Sequence, residues 1–264
     1  AQEYAGAKAA LGLRAHGLDD AAVERAFNAG EILRTHVLRP TWHFVIPADI
    51  RWLLKLTAPR VHQTNGSMYR RLELDEATLR RCGDVITGAL QGGRALTRDQ
   101  LRDELERAGI ATPGGPDRNG QRLAYIVMWA ELEGLIASGP RLGKQFSYRL
   151  LDERAPAGGA FDRDAALAEL ARRYVRSHGP ATAADLANWS GLTLSDARRG
   201  IAAAQPALLH EEVDGQTLWF AGAPLPPRSP SPTAYLLSIY DEYTIGYKDR
   251  SAIVSADDLS LIHI

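Results

Sequence analysis

An α+β chain, mainly helical and assembled from tandem winged-helix modules (helix-turn-helix plus β-hairpin), is the fold this sequence predicts. Three observations carry that reading. Apolar stripes at helical spacing alternate with pairs of short strands. The order helix, helix, turn, helix, hairpin recurs along the chain. The composition, 45% hydrophobic and 24% charged over 264 residues, belongs to a chain with a packed core and excludes a disordered or fibrous one. No apolar run approaches the ~18 residues of a membrane span, so no membrane partner is expected. The single cysteine, Cys82, excludes an internal disulfide framework and a cysteine-rich zinc site, and fits a reducing cytosol. The seven histidines form no His-x-x-x-His or Glu-x-x-His pair, so neither a metal nor another cofactor is expected.

Residues 1–72 read as a partial first winged helix followed by a basic helical segment. Asp20–Ala29 is a helix ended by Gly30, and Ile32–Leu38 and Trp42–Ile46 are strands around Arg39-Pro40. Ile50–Thr57 is a further helix, stopped before Pro59, and His62-Gln63-Thr64-Asn65-Gly66-Ser67 reads as a flexible polar stretch or a plain loop. Residues 82–152 form a second module. Cys82–Leu90 is helical, Thr97-Arg98-Asp99-Gln100 is a capping box opening Leu101–Ala108, and Arg122–Glu133 is the third helix after a Gly/Pro-rich insertion at Pro113–Gly120. Leu135–Ser138 and Gln145–Leu150 are then strands flanking a basic wing that carries Arg141 and Lys144.

Residues 161–223 give the clearest copy. Asp164–Ser177 carries Leu167, Leu170, Tyr174 and Val175 at helical spacing; Thr182 with Asp185 opens a short helix; Gly191 turns; Thr193 caps a helix with Leu194, Ala197, Ile201 and Ala204 inward. Leu208–Val213 and Gln216–Phe220 alternate around Asp214-Gly215, a strong two-residue hairpin signal. Linkers fall near Pro156–Ala160 and Pro224–Pro232. Residues 233–258 read as the start of a C-terminal β region, with strands expected over Tyr235–Ser255. Residues 259–264 resemble a translated library adapter and are read as a non-native tail. With Ala1 entering in mid-element, truncation at both ends is the expectation.

With a net charge of −1, only a local distribution of charge can point to a polyanion. Between Arg51 and Leu72 stand Arg51, Lys55, Arg60, Arg70 and Arg71 with no acidic residue; widening to Ile32 adds Arg34 and Arg39 against Asp49 alone. Such an excess is an electrostatic footprint for phosphates, with a solvated helix face as the plain alternative. His62 lies inside this zone. Thr41 and His43 are two apart in a strand and share one face, while Trp42 and Phe44 take the other as core. His43 then suits a phosphate contact or the positioning of water, or else is structural, as His36 is read to be. Asp241, Glu242, Lys248, Asp249 and Arg250 gather around Tyr240, Tyr243 and Tyr247. They form a surface salt-bridge set, or paired carboxylates for acid–base or metal chemistry, with Lys248 and Arg250 reaching toward a DNA backbone.

Four features coincide: Ala1-Gln2-Glu3-Tyr4 followed by Ala10-Leu11-Gly12-Leu13-Arg14; Arg34-Thr35-His36-Val37-Leu38-Arg39-Pro40-Thr41-Trp42-His43-Phe44-Val45; the tandem modules; and Asp241-Glu242-Tyr243 with Tyr247-Lys248-Asp249-Arg250-Ser251. Together they resemble the bacterial family of winged-helix DNA-binding proteins that includes the AlkZ-type DNA glycosylases, over essentially the whole chain before the tail. That family carries a Gln-x-Gln motif near its N-terminus; Gln2 matches its second glutamine, and the first would precede Ala1.

The resemblance implies a DNA-repair glycosylase that acts on alkylated or crosslinked purines. Gln2 would be its main catalytic residue, with His43, Thr41 and Glu3 in support. A neutral carboxamide can orient water beside an oxocarbenium-like sugar without repelling it, which suits a leaving base already made cationic by alkylation. Arg39, Arg51, Lys55, Arg60, His62, Arg70, Arg71, Arg141, Lys144, Lys248 and Arg250 are the expected DNA contacts. The expected partner is double-stranded DNA, bound by a monomer in the cytoplasm at the nucleoid. Two other readings stay open: a non-catalytic, regulatory DNA-binding protein, and a protein-interaction scaffold. A glutamine or histidine immediately before Ala1 favours the glycosylase, and an apolar residue there the binder.

Overall fold

The computed structural model describes residues 3–112, 120–222, 234–251 and 253. It is mainly helical, with small antiparallel sheets. The chain divides into two compact units, one built from Ala15–Phe161 and one that combines α1 (Tyr4–Arg14) with the chain from Asp162 on.

In the first unit, α2 (Asp20–Ala29) starts where the Asp19 side chain accepts the Ala22 N–H and ends at Gly30, in the left-handed region at φ 88°. The left-handed φ favours glycine there, and the Arg154 guanidinium packs over it to reach the helix-end carbonyls of Phe27 and Asn28. The antiparallel strands β1 (Leu33–Val37) and β2 (Thr41–Val45) follow. At the turn between them Leu38 takes φ 65°, and its N–H donates to Thr57 Oγ1, which donates in turn to Leu53 O.

Those two acceptors lie on α3 (Pro47–Arg71), a helix of 25 residues. The sequence reading stopped this helix at Thr57 and made 62–67 a flexible polar stretch or a plain loop; both are corrected. Pro59 removes one backbone bond, yet the helix runs on because the turns beyond it are packed. Val61 and Asn65 are buried, the Thr64 hydroxyl donates to Val61 O, and His62 Nδ1 meets the Tyr69 hydroxyl at 2.9 Å. Burial here outweighs a local penalty of about 3 kcal/mol.

Next come α4 (Glu76–Leu90), capped by Asp75 and so longer than the expected Cys82–Leu90; β3 (Leu96–Thr97); α5 (Arg98–Arg107), opened by the expected Thr97–Gln100 capping box; and α6 (Gln121–Leu132). Strands β4 (Ile136–Ser138) and β5 (Ser147–Leu150) complete a sheet of order β3-β5-β4. The two-residue β3 was not foreseen. Cys82, Ile86, Leu101, Leu105, Leu123 and Ile126 form the core beneath, where burial pushes the Cys82 thiol up to about 11. Most of the insertion at Pro113–Gly120 lies outside the described residues.

The second unit continues with α7 (Arg163–His178), α8 (Ala183–Ser190), α9 (Leu194–Ala204) and the hairpin β6 (Leu208–Val213), β7 (Gln216–Ala221). The Thr182–Asp185 capping box is present, and Asp214 and Gly215 supply the two left-handed residues, φ 49° and 74°, that a two-residue hairpin needs. Leu167, Leu170, Tyr174 and Val175 are buried, as their spacing predicts. Leu194 is not: it is 40% exposed, and the buried stripe of α9 begins one turn later at Ala197.

Strands were expected over Tyr235–Ser255. The described part of that stretch instead holds α10 (Glu242–Ile245) and no strand. The Asp241 carboxylate accepts the Tyr243 N–H, making Asp-Glu-Tyr a helix start. The segment is then pinned by polar bonds: Tyr174 O–H to Gly246 O, Tyr247 O–H to His178 O, and Lys248 N–H to Asp185 Oδ1. The linker at Pro224–Pro232 and the tail 259–264 lie outside the described residues.

Helices α7 and α9 touch through Gly200, where a Cβ would meet Leu167 O at 2.6 Å. Alanine is favoured over glycine in a free helix by about 1 kcal/mol, but Gly200→Ala is expected to destabilise this unit by ~1–3 kcal/mol through overpacking. Urea unfolding checks it; a gain in stability would mean that the helices do not approach this closely.

Candidate functional site

The register of the first hairpin pairs Thr35 with His43, Val37 with Thr41, His36 with Trp42 and Arg34 with Phe44. Thr41 and His43 therefore share one face, and Trp42 and Phe44 the other. His43 Nδ1 lies 3.0 Å from Thr41 O. A carbonyl only accepts, so Nδ1 carries the hydrogen and Nε2 is the basic nitrogen of the neutral ring. Trp42 and Phe44 were expected as core; both are only half-buried, as all of β2 is, because β2 is the edge of a two-stranded sheet whose other strand is buried throughout.

The opposite face is a ladder of cations and rings. The Arg34 guanidinium lies 4.1 Å from the Trp42 ring centre and 4.5 Å from that of Phe146, and Arg141 lies 4.1 Å from Phe146. The His36 ring is 4.4 Å from Trp42, and its Nδ1 meets Glu131 Oε2 of α6, both side chains being buried. His36 is structural, as read from the sequence. Glu131 was not singled out; its one signal was a lone carboxylate inside the apolar run Ala130-Glu131-Leu132.

On α3 the basic residues divide, where the sequence had suggested one zone. Arg51, Lys55 and His62 line a cavity of about 310 Å³ together with Glu133. Arg51 is committed to the short 3-10 turn Leu151–Glu153 and the chain just after it, through Asp152 Oδ1 at 2.6 Å and Pro156 O at 2.7 Å. Burial pushes the Tyr69 hydroxyl up to about 12, so it stays protonated, and it pairs with His62 Nδ1 at 2.9 Å. His62 Nε2 lies 3.0 Å from Glu133 Oε1, and the imidazole there holds the Glu133 carboxyl below its usual range against the opposing effect of burial.

Arg60, Ser67, Arg70 and Arg71 fall within about 100° of arc elsewhere on the same helix, and all four are exposed. Arg60 donates to Gln63 Oε1 and Arg71 to Gln121 Oε1. These partners are neutral, so the positive charge of the arc is not cancelled. Neither cavity along α3 includes Thr41, His43, Arg60 or Arg70. Arg39 is half-buried at the hairpin turn; Arg141 donates its backbone N–H to Asn28 Oδ1; and Lys144 is exposed.

Gln2 lies outside the described residues. Glu3, in the second unit, is exposed at the start of α1, its carbonyl accepting the Ala7 N–H. Lys248 is exposed and Arg250 half-buried. Asp241 and Glu242 are neither a surface salt-bridge set nor a carboxylate pair. Asp241 is buried and takes both prongs of the Arg14 guanidinium, while Glu242 accepts the Trp189 indole N–H at 2.8 Å. Burial would raise the Asp241 carboxyl, but Arg14 and the Tyr243 N–H outweigh it and hold it below its ordinary value. Among the described residues no cluster of three or more His, Cys, Asp or Glu could hold a metal ion, and no helix is long and apolar enough to cross a membrane.

The model of a family described as DNA glycosylase AlkZ-like matches residues 1–261. The solved structure of the Streptomyces sahachiroi DNA glycosylase AlkZ is similar, with a TM-score of 0.77 and 20% identity, over 98% of this chain and 72% of that chain. No curated protein matches the chain.

Trp42→Ala removes the ring between Arg34 and His36. Since Trp42 is only half-buried, the loss is expected near 2 kcal/mol, below the ~3–5 kcal/mol of a fully buried aromatic. Denaturant unfolding measures it, and an unchanged midpoint would show that the ladder contributes nothing.

Proposed function

The chain belongs to the AlkZ-like DNA glycosylase family, and from that premise we propose that it hydrolyses the N-glycosidic bond of alkylated or crosslinked purines in double-stranded DNA. The observation that carries this reading is the family match across residues 1–261. The exposed, uncancelled arc Arg60–Arg70–Arg71 supports it as a surface for duplex phosphates.

On this reading the helices and hairpins are winged-helix modules, with bounds near 1–72 for a partial first, 82–152 for the second and 161–223 for the third. Each would offer its third helix or its wing to the duplex. Arg141 and Lys144 are the wing contacts of the second module, and Lys248 and Arg250 further backbone contacts. Acting on duplex DNA as a monomer would place the protein at the nucleoid, in the cytoplasm.

The chemistry asks little of an acid. A guanine alkylated at N7 carries a positive charge and leaves as a neutral base when the bond to C1′ breaks. Water then adds to C1′ and gives up a proton. On this reading the Gln2 carboxamide orients that water, and His43, as a phosphate contact or a water-positioning group, Thr41 and Glu3 are the supporting residues. A non-catalytic DNA-binding protein would use the same basic arc, so excision itself is the deciding measurement.

Release of the N7-alkylguanine base from duplex DNA, leaving an abasic site, is the expected activity. Gln2→Ala should lower the single-turnover rate by at least ~100-fold while leaving DNA affinity in place; retained excision removes Gln2 from the mechanism, and no excision by the parent protein removes the glycosylase reading. Arg60→Ala or Arg70→Ala should weaken binding on every sequence alike and reduce the slope of log K against log salt by about 1. An unaltered slope would take that arginine off the interface.

A further inference from the structure

Two short strings that the sequence made conspicuous, Ala10-Leu11-Gly12-Leu13-Arg14 and Asp241-Glu242-Tyr243, stand 227 residues apart and meet in the second unit. Arg14 Nη2 lies 2.6 Å from Asp241 Oδ1, and Nη1 lies 3.0 Å from Oδ2. This is a fork-to-fork pair, which fixes direction as well as distance. The Asp241 side chain is 1% exposed, and its Oδ1 also accepts the Tyr243 N–H, so one carboxylate caps α10 and holds α1.

Two turns nearer the N-terminus, α1 touches the same segment again. A Cβ on Gly6 would stand 2.9 Å from both Cβ and Oγ of Ser238. These contacts matter because α1 has no fully buried residue, its apolar side chains Tyr4, Ala7, Ala10 and Leu11 being only half-buried. Directional contacts therefore add to a modest apolar face in setting its place. The segment it rests on is itself anchored to α7 and α8, by Tyr174 on Gly246 O, Tyr247 on His178 O, Trp189 on Glu242 and Asp185 on the Lys248 N–H. Placement thus passes from α7 and α8, through Asp241 and Arg14, to a helix that begins one residue after Glu3 and two after Gln2.

We propose that Arg14 and Asp241 are positioning residues for excision: their bidentate pair, with the Gly6–Ser238 contact, fixes the helix into which Gln2 and Glu3 lead. This rests on the glycosylase reading and adds to it a requirement for residues at the far end of the chain. Neither residue need touch DNA. Removing the pair costs aim rather than affinity, and misplacement of a reacting group by about 1 Å is worth up to ~10²-fold in rate.

The test compares the parent protein with Asp241→Asn, Arg14→Gln and the double variant. The measurements are single-turnover release of N7-methylguanine from a duplex, the dissociation constant for that duplex, and amide hydrogen exchange over Tyr4–Arg14. Each single variant should lose about 10–100-fold in rate, keep its dissociation constant within about twofold, and exchange faster along α1 while α7 and α8 keep their protection. The double variant should be no worse than the worse single one, because one bridge is lost either way. Arg14→Lys keeps the charge without the fork and should fall between parent and Arg14→Gln.

Unchanged rates, losses that add in the double variant, or rate and affinity falling together with protection across the whole unit would each overturn the proposal. Unchanged exchange along α1 would overturn it without reference to activity. Gln2→Ala run in parallel separates the claims: excision abolished by Gln2→Ala but untouched by Asp241→Asn defeats the positioning role alone, excision untouched by Gln2→Ala removes Gln2 from the mechanism and the positioning role with it, and only a parent protein without excision defeats the glycosylase reading.

Discussion

The buried pair of His36 and Glu131 is the constraint around which the first unit is arranged. Neither side chain is tolerable alone inside an apolar interior, because desolvation of a charge or of an unmatched polar group costs several kcal/mol. Together they tie β1 to α6. The Arg34 N–H on Ser138 Oγ adds a second link, from β1 to β4. With β1 held on one face by His36 and along one edge by the Arg34 N–H, β2 takes the other edge. Its polar residues Thr41 and His43 then share a face with Thr35 and Val37, and Trp42 is trapped beside Arg34 and His36. The strand that carries candidate chemistry is thus oriented by residues that take no part in it.

The second unit solves a similar problem with less apolar surface. Helices α7 and α9 cross closely enough for Gly200 to be needed, and that contact supplies a core of ordinary kind. The segment around α10 has no such core. It is held by hydroxyl, indole and carboxylate groups, each with a named acceptor or donor, and α1 meets it at the Arg14 guanidinium and at Gly6. Directional bonds of this kind give position at modest net stability. That is the appropriate economy for parts whose task is to hold a few residues in place.

Local signals in the sequence were legible. The Thr97–Gln100 and Thr182–Asp185 boxes, the stop at Gly30 and the Asp214-Gly215 turn are set by groups within four residues of one another, and each stands where it was expected. The facing of Thr41 and His43 follows from a period of two and was equally readable. Features decided by distant neighbours were not. The continuation of α3 through Pro59 depends on burial of Val61 and Asn65, the strand Leu96–Thr97 exists because β5 pairs with it, and Asp-Glu-Tyr starts a helix because Asp241 turns back to cap it. Glu131 escaped notice, and the pairing of Arg14 went unread although its string was conspicuous, for the same reason: their partners lie 95 and 227 residues away. The division of the α3 cations into two faces became readable only once the helix was known to be continuous.

A double-mutant cycle between His36 and Glu131, followed by urea unfolding, tests this arrangement most directly. Each single change to alanine leaves a buried partner unmatched and is predicted to cost about 3–5 kcal/mol, with the double change costing at least ~2 kcal/mol less than the sum. Additive losses would contradict the account, since they would mean that the two residues stabilise the hairpin independently and that the strand bearing Thr41 and His43 is placed by something else.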